Sequence, residues 1–214
     1  MVALSDRKDE AAREIKTWAR QIKQQFGKMP KEFHTDQGTE FRNQTLKEFW
    51  EAYGVRATFS LVNTPQHNGK VERLNRTIGT ITGVNMRAAK APHPLWAEAE
   101  RYSLWAEAER YSLVLYNRRP RSDGRPAPIQ LLTGRSDPPR IDHLRVWGCT
   151  AYVKMPMTMR RDKFDPTAVQ AVFVGLAEPT GYRFLIPSDR MSVFETRHAT
   201  FVENDFNAMQ KVRQ

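Results

Sequence analysis

The chain has 214 residues, enough for one large domain or two small ones. Lys and Arg total 34 against 24 Asp and Glu, and the net charge of +10 points to a polyanionic partner such as nucleic acid. The single cysteine, Cys149, excludes an intrachain disulfide and a Cys₂His₂ zinc site within the chain, and the longest apolar run, 168–177, is too short to span a bilayer.

Residues 6–26 read as an amphipathic helix, with Ile15, Trp18, Ile22 and Phe26 at helical spacing and Gly27 as its stop. A short strand is expected over 31–35, ending beside Asp36, where Gly38 allows a tight turn. A helix follows over 43–53, striped by Leu46, Phe49, Trp50 and Tyr53, with Gly54 suited to its C′ position. Residues 55–62 read as a strand, and the loop 63–69 leads into a long helix running to about Ala89. Val71, Leu74, Ile78 and Ile81 form its expected buried stripe, and Glu72 lies about 100° round from Val71, at the edge of that stripe.

The nonapeptide Leu-Trp-Ala-Glu-Ala-Glu-Arg-Tyr-Ser occurs twice in succession, at 95–103 and 104–112. Nine residues turn a helix by about two and a half turns, so on one helix the second copy faces away from the first. It reads as a local duplication and not as a repeat fold. Arg118, Arg119, Arg121 and Arg125 then cluster in a Pro- and Gly-containing segment, either a phosphate-contacting patch or a solvated linker. From Leu144 onward five short β runs (145–153, 169–174, 182–186, 191–194 and 198–202), separated by turns, suggest a small barrel, and a boundary is placed near residue 140.

Two stretches carry the chemistry: His34-Thr35-Asp36-Gln37-Gly38-Thr39-Glu40-Phe41 and Thr64-Pro65-Gln66-His67-Asn68-Gly69-Lys70-Val71-Glu72-Arg73-Leu74-Asn75-Arg76. The 35 residues between Asp36 and Glu72 are enough to bring two distant carboxylates together, and hard divalent cations want such oxygen ligands. His34 and His67 read as local hydrogen-bonding groups and Cys149 as a small core residue.

These two stretches resemble the catalytic core of retroviral and retrotransposon integrases. With Tyr116-Asn117-Arg118, the run His143 to Cys149, Lys163-Phe164-Asp165-Pro166, Phe173-Val174-Gly175 and Gly181-Tyr182-Arg183, the chain is similar to the Pol polyprotein of copia-type long-terminal-repeat retrotransposons. The resemblance implies an α/β fold. Residues 1–140 would be an incomplete ribonuclease H-like integrase core with its first three strands missing, 141–205 a small SH3-like β-barrel, and 206–214 a tail. It implies two Mg²⁺ or Mn²⁺ ions, with Asp36 and Glu72 as catalytic, metal-binding acids. Asn68, Lys70, Arg73, Arg76, Arg118, Arg119 and Arg121 would face nucleic acid. The implied partners are DNA (element ends and target) or RNA, with a homo-oligomer and a nuclear location and no membrane. The family's first acid belongs on a strand ahead of the opening helix, and Asp6 and Asp9 do not fit that place. The expectation is an integrase fragment that is inactive alone, and the alternatives are a non-catalytic nucleic-acid-binding remnant or a C-terminal interaction module.

Overall fold

The computed structural model describes residues 8–36, 38, 41–60, 69–91, 99–121, 123–154, 166–187 and 192–212. They divide between two compact units, 1–76 with 132–134, and 77–131 with 135–214.

In the first unit, helix α1 (Lys8–Phe26) precedes strand β1 (Glu32–Thr35), helix α2 (Gln44–Ala52) and strand β2 (Arg56–Phe59). Asn43 caps α2, its Oδ1 accepting the Leu46 N–H at 2.7 Å, which satisfies one of the donors a helix start leaves open. Gly54, at φ +64°, takes the left-handed turn that ends α2, and the chain re-enters at once as β2. β1 and β2 pair in parallel from Glu32↔Arg56 to Thr35↔Phe59, with α2 in the crossover that parallel strands require. Phe33 stacks on Trp50 of α2 at 4.8 Å, and Ala12, Ala19, Leu46, Phe49, Trp50 and Val55 are the buried centre. The seam of α1 is therefore Ala12, Ile15 and Ala19. Trp18, expected in the buried stripe, lies about 90° from the middle of that seam and is 43% exposed.

Helix α3 (Gly69–Ala88) begins where the sequence places it. Its buried residues are Ile78, Thr82 and Met86, whereas Val71, expected in the stripe, is 53% exposed. The burial begins two turns later than the apolar pattern does.

In the second unit, helix α4 (Ala99–Arg118) lies over a five-stranded antiparallel sheet of β3 (Thr150–Lys154), β4 (Ala168–Ala177), β5 (Gly181–Ile186), β6 (Ser192–Thr196) and β7 (Ala199–Val202). Two short helices, α5 (Pro128–Thr133) and α6 (Asn207–Lys211), have no forecast in the sequence pattern, because neither is long enough to show a period. The expected strand over 145–153 is real only as β3. The strand order is β6-β5-β4-β3-β7.

This corrects the barrel expectation: the sheet is open, and among the described residues its edge strands β6 and β7 do not pair. β6 and β7 run in the same direction, because four antiparallel pairings separate them, and they follow one another across Arg197 and His198 alone. Closure would require them to pair in parallel, and two residues cannot supply the crossover of roughly a dozen that parallel neighbours need. The observed architecture is a mixed α/β chain with an open antiparallel sheet toward its C-terminus.

The core of this unit is aromatic. Phe173 of β4 meets Tyr111 of α4 edge-on at 5.4 Å and Phe201 of β7 at 5.5 Å. Trp147 is 2% exposed and its indole N–H donates to the Val174 carbonyl at 2.9 Å. The Tyr111 hydroxyl donates to the Arg145 carbonyl at 2.7 Å and accepts the Arg145 N–H at 3.0 Å.

Burial pushes the Tyr111 phenol from 10.0 up to about 12 and the Cys149 thiol from 9.0 up to about 12. Both groups fold as neutral acids. Their contribution to stability is complete below the unfolded values, and is lost as pH rises through the folded ones. Urea midpoints are therefore expected to fall between about pH 9 and 12, with Cys149→Ala delaying the onset toward pH 10. A midpoint flat from pH 8 to 12 would contradict this packing.

Candidate functional site

Alternation along β1 sends Phe33 and Thr35 toward the α2 side and Glu32 and His34 to the opposite, more exposed face. On that face the side chains form one hydrogen-bonded line. Arg56 donates to Glu32 at 3.0 Å, and the Thr58 hydroxyl donates to the other Glu32 oxygen at 3.0 Å. Thr58 has one proton and gives it to Glu32, so it accepts from His34 Nδ1–H at 2.8 Å. The other ring nitrogen, Nε2, lies in hydrogen-bonding contact with the Ser60 hydroxyl at 3.1 Å. His34 is thus a local hydrogen-bonding group, as its sequence setting suggests. The Arg56 guanidinium and the Thr58 hydroxyl hold the Glu32 carboxyl below its ordinary range. This line was missed in the sequence, although Glu32/His34 and Arg56/Thr58/Ser60 recur at the two-residue period of a strand face.

Asp36 stands exposed immediately after β1, and its Oδ1 accepts the Gly38 N–H at 3.1 Å. Glu72 is exposed in the first turn of α3. Lys70, Arg73 and Arg76 are exposed on the same helix, and at about 100° per residue they fill an arc of roughly 120° centred on Arg73. That arc lies opposite Ile78, Thr82 and Met86, the buried side. Glu72 borders it about 40° beyond Arg76. Asn68 and His67 lie outside the described residues.

Arg118, Arg119 and Arg121 sit at and just after the end of α4. Arg118 donates to the Val114 carbonyl at 3.4 Å. Asp123 takes Arg125 through both guanidinium and backbone N–H and lies 3.7 Å from Arg121. The Arg125 guanidinium holds the Asp123 carboxyl down to about 2, so this carboxylate stays charged and offsets one of the four arginines. Arg119 and Arg121 are exposed.

A two-metal phosphoryl-transfer centre needs several oxygen ligands converging on one point. Among the described residues no group of three or more His, Cys, Asp and Glu is placed to hold a metal ion. Asp36 and Glu72 are two exposed acids, and the described donor set does not fit such a centre. No helix among the described residues is long and apolar enough to cross a membrane.

Comparison with known proteins bears on these residues. The profile of a family described as retroviral polymerase SH3-like domain matches residues 149–214. The chain is 29% identical over 186 residues to the retrovirus-related Pol polyprotein from transposon TNT 1-94 of Nicotiana tabacum, covering 86% of this chain and 13% of that polyprotein. It is 30% identical over 176 residues to the corresponding polyprotein from transposon RE1 of Arabidopsis thaliana, covering 81% of this chain and 11% of that one. Among solved structures, a chain of the cryoEM structure of a simian T-cell lymphotropic virus intasome in complex with PP2A regulatory subunit B56 gamma matches with a TM-score of 0.44 at 16% identity, over 87% of this chain and 62% of that one. The chain thus spans about an eighth of the length of the polyproteins it matches.

Proposed function

We propose that this chain, which is a retrotransposon Pol-like, integrase-related protein with a C-terminal SH3-like domain, binds nucleic acid through its basic surface and does not by itself transfer DNA strands. The observation that carries the reading is the contrast between its charge and its donor set. The chain is +10 and presents Lys70, Arg73 and Arg76 as one exposed arc on α3, while the described acids do not converge. Phosphate contacts need only exposed cations, whereas two-metal chemistry needs the ligands assembled.

The lineage is one of divalent-metal enzymes, in which metal ions stabilise charge on a transferring phosphoryl group. Asp36 and Glu72 are this chain's match to two of the acids that serve there. With the described donors falling short of a site, no transfer step is assigned to this chain. Lys70, Arg73 and Arg76 would hold the phosphate backbone beside Glu72, and they carry no base-reading geometry that would select a sequence.

Fluorescence anisotropy with a labelled DNA duplex tests the binding. Affinity should fall linearly on a log–log plot against salt, by about 0.9 per phosphate contact, with little dependence on sequence. Changing Lys70, Arg73 and Arg76 together to Glu should weaken binding at least ~30-fold and flatten the salt slope by about three. Affinity unchanged between low and high salt, or untouched by the triple substitution, would overturn the reading.

A further inference from the structure

We infer that the groove where the end of α4 meets α3 and the segment before β3 is a docking site for an acidic amphipathic peptide. Its floor is mostly apolar: Ile81 of α3, Leu115 and Tyr116 of α4, Pro120, and Ile141 and Leu144. Arg118 and Arg119 stand at its rim, and its volume is about 470 Å³. That lies within the roughly 300–1,000 Å³ of clefts that bind ligands. Ile141 is 62% exposed. A lone exposed isoleucine is ordinary, but four aliphatic side chains converging in a concavity are not.

The charge of the rim selects the occupant. Among the described residues no carboxylate lines the groove. The nearby acids are already engaged, Asp142 by Arg140 at 2.7 Å and Asp123 by Arg125 and Arg121. Arg118 and Arg119 are therefore left to face an incoming negative charge. Nucleic acid could use those two guanidiniums, but Tyr116 is the single aromatic face among the described lining residues, too little to seat a run of stacked bases beside four aliphatic side chains. A helix or turn with Leu or Ile anchors on one side and Glu or Asp at the flanks satisfies both floor and rim. This goes beyond nucleic-acid binding, and the experiment separates the two.

The probe is a fluorescein-labelled synthetic helical peptide with Leu at positions i, i+3, i+4 and i+7 and Glu elsewhere. A Leu→Ala version of equal charge and a single-stranded oligothymidylate are read beside it, all against the full chain. The Leu peptide should bind at least ~10-fold more tightly than the Ala peptide. Ile141→Asp should weaken the Leu peptide by ~10-fold or more and leave oligothymidylate within about twofold. Arg118→Ala with Arg119→Ala should weaken the Leu peptide by roughly fivefold. Because Ile141 is mostly exposed, its substitution should leave the melting temperature in place, and Ile141→Asn gives a milder second reading of the same contact. Equal binding of the two peptides, capture of oligothymidylate alone, or indifference to both Ile141 substitutions would each overturn the inference.

Discussion

Gly148→Ala is expected to destabilise the second unit by about 2–6 kcal/mol, a large share of the ~5–15 kcal/mol that holds a domain. Gly148 sits at φ +81°, where a side chain is strained by about 1–3 kcal/mol. A Cβ there would lie 2.3 Å from the Ala89 Cβ and 3.2 Å from the Met209 Cε, so backbone must also shift, at about 1–3 kcal/mol more. The close approach has a reason. Gly148 donates its N–H to the Phe173 carbonyl at 2.8 Å, which ties the segment before β3 to the centre of the sheet. Urea unfolding measures the loss. Adding Ala89→Gly should recover the contact part and leave the φ part, which a double-mutant cycle resolves. A Gly148→Ala protein with an unchanged midpoint would show that this contact is not as described.

The second large effect concerns the duplicated nonapeptide. Leu104, Ala108 and Tyr111, all from the second copy, form the buried side of α4, and Ser112 is buried beside them, bonded to Thr82 at 3.0 Å. Glu107, also of the second copy, is 8% exposed and takes Arg183 of β5 through both oxygens at 2.9 and 3.1 Å, while Arg183 also reaches Glu195. Tyr111→Ala should therefore cost about 3–5 kcal/mol. Deleting nine residues gives one and the same sequence whichever copy is removed. That shortened chain keeps a complete copy to fill the socket, and its unfolding free energy should stay within ~1 kcal/mol of the parent. An unfolding free energy unchanged by Tyr111→Ala would show that the second copy does not fill this socket.

These two features also mark how far the sequence could be read. Local signals carried well: Asn43 and Gly54 bracket α2, and β1 and β2 lie where Pro30, Gly38 and the β-branched run point. Signals that depend on distant partners did not carry. Glu107 looks like a surface helix residue until Arg183, 76 positions away, is folded against it. Val71 fits an apolar stripe that the surrounding packing does not cover. The β runs announce strands, yet strand count and spacing leave closure undecided, and the pairing order shows an open sheet. For the candidate site, the motifs point to Asp36, Glu72 and the cations of α3. The convergence of acids is a tertiary property, and the described residues do not show it.

Binding without catalysis is tested most directly by strand transfer with the purified 214-residue chain, Mn²⁺ and an oligonucleotide carrying a free 3′-hydroxyl, at a protein concentration where anisotropy shows the DNA bound. Bound DNA and no transfer product are expected. Product formed by this chain and lost on Glu72→Gln would contradict it, and would make Asp36 and Glu72 working ligands of an assembled centre.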